Sequence, residues 1–391
     1  MKKNGKYIIW CGIIAMWALG CKKPYTPNVI SSNNNYLVVE GVINTGGDST
    51  VIRLSRTVNL SSGVTINPEL NATVIIQSDQ NQTYSLHSIG NGQYASTPLT
   101  LDNTRKYRLS IGTSDGKAFL SDYVPAIATP PIDSVGFTIL NNGVQIYVNT
   151  HDPNNNTHYY RWDYNETWIF HAKYDSEYIS NDSTDVVPRS PDKQIYQCWG
   201  SGISTVITLG SSAKLSQDVI YQSPIIFIPS TSEKIESRYS ILLKQYAMTS
   251  DGYNYYTILK KNTEQLGSIF DAQPSQLTGN IHCTTDATLP VIGYISAGTV
   301  QQKRVYINNS QLPTWQPTYP YTCGLDTAFY ASKGPNPVNQ VLQNLVPQPN
   351  SNITIYAVFG NGPNPIGYTY SDPDCADCSI RGSLTKPSFW Q

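Results

Sequence analysis

Cys21 is the residue of this chain with the most definite chemistry. It closes a segment with a basic head (Lys2, Lys3, Lys6), an apolar stretch from Tyr7 to Leu19 and a small residue, Gly20. That order is a bacterial lipoprotein export signal. A bilayer span needs roughly 18 apolar residues, and this stretch is shorter, so a permanent transmembrane helix is the weaker reading. A thiol in this place takes a diacylglycerol group. Once the chain is cut after Gly20 it becomes an acylated N-terminus, and several acyl chains hold a protein stably on a membrane. Ala18 stands where such signals prefer Leu.

Cys11 falls inside the signal, which leaves Cys198, Cys283, Cys323, Cys375 and Cys378 in an oxidising compartment. Two disulfides and one free thiol can be drawn from five cysteines in about 15 ways, and spacing does not choose among them. Cys375-Ala376-Asp377-Cys378 has the spacing of a redox or zinc half-site. A redox pair opens a helix after a strand, whereas this one follows Asp372-Pro373-Asp374 in a loop, and zinc would need a second such pair or two nearby histidines. The preferred reading is structural disulfides, with no metal and no cofactor.

The run Tyr159-Tyr160-Arg161-Trp162-Asp163-Tyr164-Asn165-Glu166-Thr167-Trp168 mixes aromatic and polar residues as a carbohydrate-binding face does. On a strand, Tyr160, Trp162 and Tyr164 share one face, while Tyr159, Arg161, Asp163, Asn165 and Thr167 share the other. The aromatic stripe is either core or a ligand or partner surface. Glu166 continues the Trp162 face and, if buried, needs a partner such as Arg238. Asp152-Pro153-Asn154-Asn155-Asn156 with Asp163 imitates a calcium loop, but lacks the central Gly and the closing Glu. A solvated hairpin loop is expected there. Asp48-Ser49-Thr50 and Asp182-Ser183-Thr184 fit a loose O-glycosylation pattern, with Ser49 and Ser183 as acceptors.

Several chemistries lack their residues. There is no Gly-x-Ser-x-Gly elbow, no His-Glu-x-x-His and no Gly-Lys-Ser/Thr phosphate loop. The five histidines, His87, His151, His158, His171 and His282, are not paired at ligand spacing. Loss of the signal would remove three of the 26 basic residues, leaving 23 against 27 acids and a net charge of about −4, which gives no sign of a nucleic-acid partner, and none is expected.

The elements that position these residues are mostly strands. Only 14% of residues are charged, tyrosines number 28, and Asn, Ser, Thr, Gly and Pro are abundant, as in exported β-rich proteins. About 370 mature residues exceed one comfortable core, so two domains are expected. Residues 21–35 carry Pro, Ser and Asn without apolar period and form a tether. Short β-type runs with intervening turn residues fill 36–127, which predicts an N-terminal immunoglobulin-like or transthyretin-like β-sandwich. Thr129-Pro130-Pro131 breaks regular pairing, and residues 128–391 are expected as a larger β-rich domain with one short helix. Its hairpin alternates Val135-Phe137-Ile139 and Val144-Ile146-Val148 about Asn141-Asn142-Gly143. The helix starts near Ser250-Asp251 and stops at Gly267.

Taken in order, Tyr36-Leu37-Val38-Val39-Glu40-Gly41, Ile52-Arg53-Leu54-Ser55-Arg56-Thr57, Pro130-Pro131-Ile132-Asp133-Ser134-Val135 and Tyr159-Tyr160-Arg161-Trp162 resemble the domain-of-unknown-function family 4249. Tyr239 to Tyr246, Gly267 to Asp271, Gly279 to Cys283, Val291 to Tyr294 and the tail Cys375 to Trp390 extend the resemblance. It implies an outer-membrane lipoprotein of the Bacteroidota, held by acylated Cys21 and encoded beside a TonB-dependent transporter. It implies no catalytic residue. Surface lipoproteins of that phylum carry acids after the cysteine, whereas Cys21 is followed by Lys22-Lys23; the outer face is still favoured over the periplasmic one. The expected function is a non-enzymatic accessory or ligand-capture partner of the transporter. The alternatives are an envelope structural protein or adhesin and, third, a glycan-acting enzyme. That enzyme would need two carboxylates among Glu40, Asp163 and Glu166 facing each other at about 5 to 9.5 Å.

Overall fold

The computed structural model describes residues 35–391 apart from 59–62, 64–65, 182–184, 265–276, 320, 332–333 and 347–351. The signal, Cys21, nearly all of the tether, Ser183 and the expected helix stop at Gly267 lie outside the described residues. Among the described residues the chain is mainly β, and no helix is long and apolar enough to cross a membrane.

The strands before residue 128 do not form the expected sandwich. They hydrogen-bond round into one closed, barrel-like sheet. Lys106–Gly112 pairs with Thr73–Ser78 on one side and with Val124–Ile127 on the other. The ring continues through Ser296–Gly298, which lies parallel to both Val124–Ile127 and Leu37–Asn44. Val291–Gly293 also runs parallel to Leu37–Asn44, and Ile281–Cys283 pairs with Ala118–Ser121. A division at 127/128 would therefore part these strands from their partners. Pairing between segments so far apart in sequence, whether parallel or antiparallel, leaves no hairpin signal, so local patterning does not announce residues 281–298 here. Gly293 makes the approach feasible. At φ +152° its Cα faces the Val39 carbonyl oxygen, and a Cβ would stand 2.4 Å from that atom. Leu37, Val39, Ile43, Ile52, Ile76, Phe119 and Ile295 fill the interior, with strict alternation along Val51–Arg56, Thr73–Ser78 and Lys106–Gly112.

A sandwich does occur, but in the second unit. One layer is Ile132–Leu140, Gly143–His151 and Val219–Pro229. The other centres on Tyr159–His171, flanked by Gln197–Ile203 and Thr208–Ser211 on one edge and by Arg238–Ala247 on the other, with Gln301–Asn308 beyond. Val144, Ile146 and Val148 from the first layer and Tyr160, Trp162, Tyr239, Ile241 and Leu243 from the second bury a common core. Thr129-Pro130-Pro131 joins the two units and is bonded into both. The Thr129 amide donates to Thr299 Oγ1 at 2.9 Å and the Ala247 amide donates to Thr129 Oγ1 at 3.0 Å.

The helix Ser250–Glu264 begins where expected, but its capping oxygen is one residue earlier, Thr249 Oγ1 accepting from the Gly252 amide at 3.2 Å. Two further single-turn helices, Gln340–Asn344 and Pro373–Ala376, bring the described α-helices to three where one was expected. A small sheet of Asp326–Phe329, Ile353–Phe359 and Pro365–Ser371 builds a separate core on Ala328, Val341, Leu345 and Tyr368. Two disulfides tie this region down, Cys198–Cys378 and Cys323–Cys375. The Cys-x-x-Cys sulfurs thus go to different partners. Cys283, expected among the disulfide candidates, is an unpaired thiol buried in the closed sheet's core. Among the described residues no other cysteine belongs to that core.

Candidate functional site

A cleft of about 820 Å³ opens between the closed sheet and the sandwich. That is inside the range of about 300–1,000 Å³ typical of small-molecule sites, which favour such boundaries between units. Glu40, Asp48, Arg53 and Gln93 project from the closed sheet, and Arg161, Asp163, Asn165, Lys244 and Tyr246 from the sandwich. The helix adds Tyr256 and Leu259, and Ile203 with the irregular segment 204–207 forms a rim.

Period-two alternation builds the sandwich wall. With Trp162 directed into the core, Arg161, Asp163 and Asn165 must point the other way. The neighbouring strand places Tyr246 opposite Arg161 and Lys244 opposite Asp163. The Arg161 guanidinium lies 4.7 Å from the Tyr246 ring centroid and 4.6 Å from that of Tyr256. Its Nη2 donates to Asp163 Oδ2 at 3.2 Å, and its buried Nε has no hydrogen-bond partner. Contact between a cation and aromatic faces contributes up to about 2 kcal/mol when desolvated, and two rings fix the guanidinium plane. Burial works to lower the Arg161 pKa, but Tyr256, Asp163, Tyr246 and Glu40 together hold it above its ordinary value. Burial, with Asp163 adding to it, pushes the Tyr246 hydroxyl up to about 12, so it remains a neutral donor at physiological pH. The arrangement presents oriented donors and acceptors of both charges.

The aromatic stripe expected as a candidate surface is core. Tyr160 and Trp162 are fully buried and Tyr164 is 5% exposed, bordering the cleft only at its margin. Trp162 Nε1 donates to Gln245 Oε1 at 2.9 Å, and Gln245 Nε2 donates in turn to the Pro130 carbonyl and Thr150 Oγ1. The Tyr160 hydroxyl donates to buried Asp218, which also accepts from Ser212 and Thr157. These polar tips are satisfied internally, so the rings can face a dry interior. The sandwich's other layer covers them, with two strands that come just before Tyr159 and a third, Val219–Pro229, from well beyond His171.

Glu166 is buried, but its partners are Lys234 Nζ and the Tyr239 hydroxyl, each at 2.7 Å. Arg238, the expected partner, instead lies 4.5 Å from the Tyr306 ring centroid and 5.8 Å from that of Trp390. Of the three carboxylates considered for glycan chemistry, Glu40 and Asp163 line the cleft and Glu166 does not. Asp152 accepts from the amides of Asn154, Asn156 and Thr157 at 2.8–3.0 Å. Burial opposes its charge, yet those donors hold its carboxyl below the usual value. Asp163 is across the strand in the cleft, and among the described residues no three His, Cys, Asp or Glu side chains group as metal ligands. Ser49 is exposed at the cleft beside Asp48. His151, His171 and His282 each face one carboxylate, and His158 faces Ser212.

Grouping Arg161, Asp163 and Asn165 on one face was available from alternation alone. Tyr246, Tyr256 and the closed-sheet wall were not, because they arrive from other parts of the chain.

Among solved structures, the chain has a weak likeness to the Yersinia pseudotuberculosis adhesin InvE. It is 13% identical, covers 55% of each chain and has a TM-score of 0.15, which carries no argument. The chain thus spans about half the length of that protein. A search of curated proteins finds no match. The family described as Domain of unknown function (DUF4249) matches residues 22–304, from the expected tether through the closed sheet and most of the sandwich, and stops short of the Cys375–Trp390 tail. That match covers well over half of the sequence, and the chain belongs to the DUF4249 family.

Proposed function

We propose that this protein is a Bacteroidota lipoprotein, anchored in the outer membrane through acylated Cys21, that captures a ligand in the cleft and serves a TonB-dependent transporter as a non-enzymatic accessory. The observation that carries the capture role is Arg161. A desolvated guanidinium, fixed between two tyrosine rings and bonded to Asp163 through Nη2, lines a cleft whose opposite wall is also polar. Holding it there costs desolvation that a bound ligand would offset. The anchor rests on the export signal ending at Cys21, and the transporter partner on the family resemblance.

The test is a mild-detergent pull-down of the tagged native protein from its own membranes, with Cys21→Ala as control and mass spectrometry to identify partners. Stoichiometric recovery of a TonB-dependent transporter, lost in the control, is the expected result. Recovery of the protein alone would refute the partnership and leave an envelope structural protein or adhesin as the better reading.

A further inference from the structure

The two walls of the cleft carry opposite charge. The closed-sheet wall has two acids and one base, Glu40, Asp48 and Arg53, whereas the sandwich wall has two bases and one acid, Arg161, Lys244 and Asp163. An apolar ligand would strip water from these groups without replacing their hydrogen bonds, at a cost of several kcal/mol. A polyanion would meet repulsion from Glu40 and Asp48, because the cleft as a whole has no positive excess. The amides of Gln93, Asn165 and Gln302 both donate and accept, which suits hydroxyl groups.

Arg161 adds a direction. Its plane is fixed by Tyr246 and Tyr256, Asp163 accepts from Nη2, and Nε is buried, which leaves the Nη edge of the guanidinium to meet a ligand. A planar fork with donors to spare matches a carboxylate, and Lys244, opposite Asp163 on the next strand, supplies a second positive charge on the same wall. The facing wall, with Glu40 and Asp48, accepts hydrogen bonds and so prefers hydroxyl donors. We infer that the cleft binds a sugar acid: a hydroxyl-rich ring bearing a single carboxylate, with the carboxylate on the Arg161–Lys244 wall and the hydroxyls toward Glu40 and Asp48. This rests on the reading of the cleft as the capture site.

The test is titration calorimetry on the full-length lipoprotein in mild detergent, with methyl β-glucuronide, methyl β-glucoside and acetate as probes. Methyl β-glucuronide should bind at least about tenfold more tightly than either comparison, as expected for a charge-assisted fork contact. Arg161→Lys keeps the charge but loses the fork, and should remove that preference. If Arg161→Lys does not fold, Lys244→Gln reads the same charge and should also lose it. Val206→Trp, at an exposed rim position, should block all saccharide binding while leaving the melting temperature unchanged. Equal affinity for glucuronide and glucoside, no binding of glucuronide, or glucuronide binding indifferent to Val206→Trp would overturn the inference. The transporter partnership is read separately by the pull-down, so it can stand when the sugar acid fails, and the reverse.

Discussion

Replacing Trp162 by alanine tests the assignment of the aromatic face to the core. The indole is completely buried between the layers of the sandwich, and its Nε1 donates to Gln245 Oε1 at 2.9 Å. Trp→Ala in a core costs about 3–5 kcal/mol through lost transfer energy and the residual cavity. The Gln245 carbonyl, itself buried, would also lose its partner, which puts the cost toward the upper end, about 5 kcal/mol. For a unit of this size that corresponds to a melting temperature about 10–20 °C lower. The measurement is far-UV circular dichroism during thermal and urea unfolding, which avoids relying on the deleted fluorophore. Asn165→Ala is the internal control. It lies on the same strand with the opposite orientation, exposed at the cleft, and should change stability by no more than about 0.5 kcal/mol. Equal effects of the two substitutions, or a loss below about 1 kcal/mol for Trp162→Ala, would refute the assignment of faces.

Other outcomes follow from the same packing. Gly210→Ala would set a Cβ 2.5 Å from the Trp162 ring, costing about 1–3 kcal/mol by overpacking; a double-mutant cycle should show most of that cost vanish once Trp162 is alanine. Peptide mapping without reduction should recover Cys198 linked to Cys378 and Cys323 linked to Cys375, with Cys283 alkylated only after unfolding. Cys378→Ser should destabilise by about 2–5 kcal/mol in denaturant titrations, with any other pairing in the map counting against the fold. His171 has a raised pKa, chiefly from its hydrogen bond to Glu236 and against the effect of burial. Its contribution to stability is full below the unfolded value of about 6.5 and is lost as pH rises through the higher folded value. Glu236→Gln should remove that pH step, and an NMR titration placing His171 at or below about 6.5 in the native protein would contradict the contact.

Much of the chain's local organisation was legible because it depends on neighbours in sequence. The hairpin about Asn142-Gly143 follows from alternation and turn chemistry, and its strands occur as Ile132–Leu140 and Gly143–His151. The helix Ser250–Glu264 follows from capping residue types at Ser250-Asp251 before a run without Pro, and the division of residues 159–168 into two faces follows from the pleat. The same rules fail wherever a distant segment decides. Alternation showed that Arg161 and Trp162 point oppositely. Which of them met water depended on a second layer that could cover one face, which Ile132–Leu140, Gly143–His151 and Val219–Pro229 provide and alternation by itself does not announce. Five cysteines bounded the disulfides, but a bridge needs Cα atoms about 4.4–6.8 Å apart, and only the folded chain brings Cys198 and Cys378 to 5.7 Å. The closed sheet is the clearest case. Its ring is completed by Ser296–Gly298, parallel to both neighbours with no local turn to announce the pairing, and the cleft is lined by residues of both the closed sheet and the sandwich.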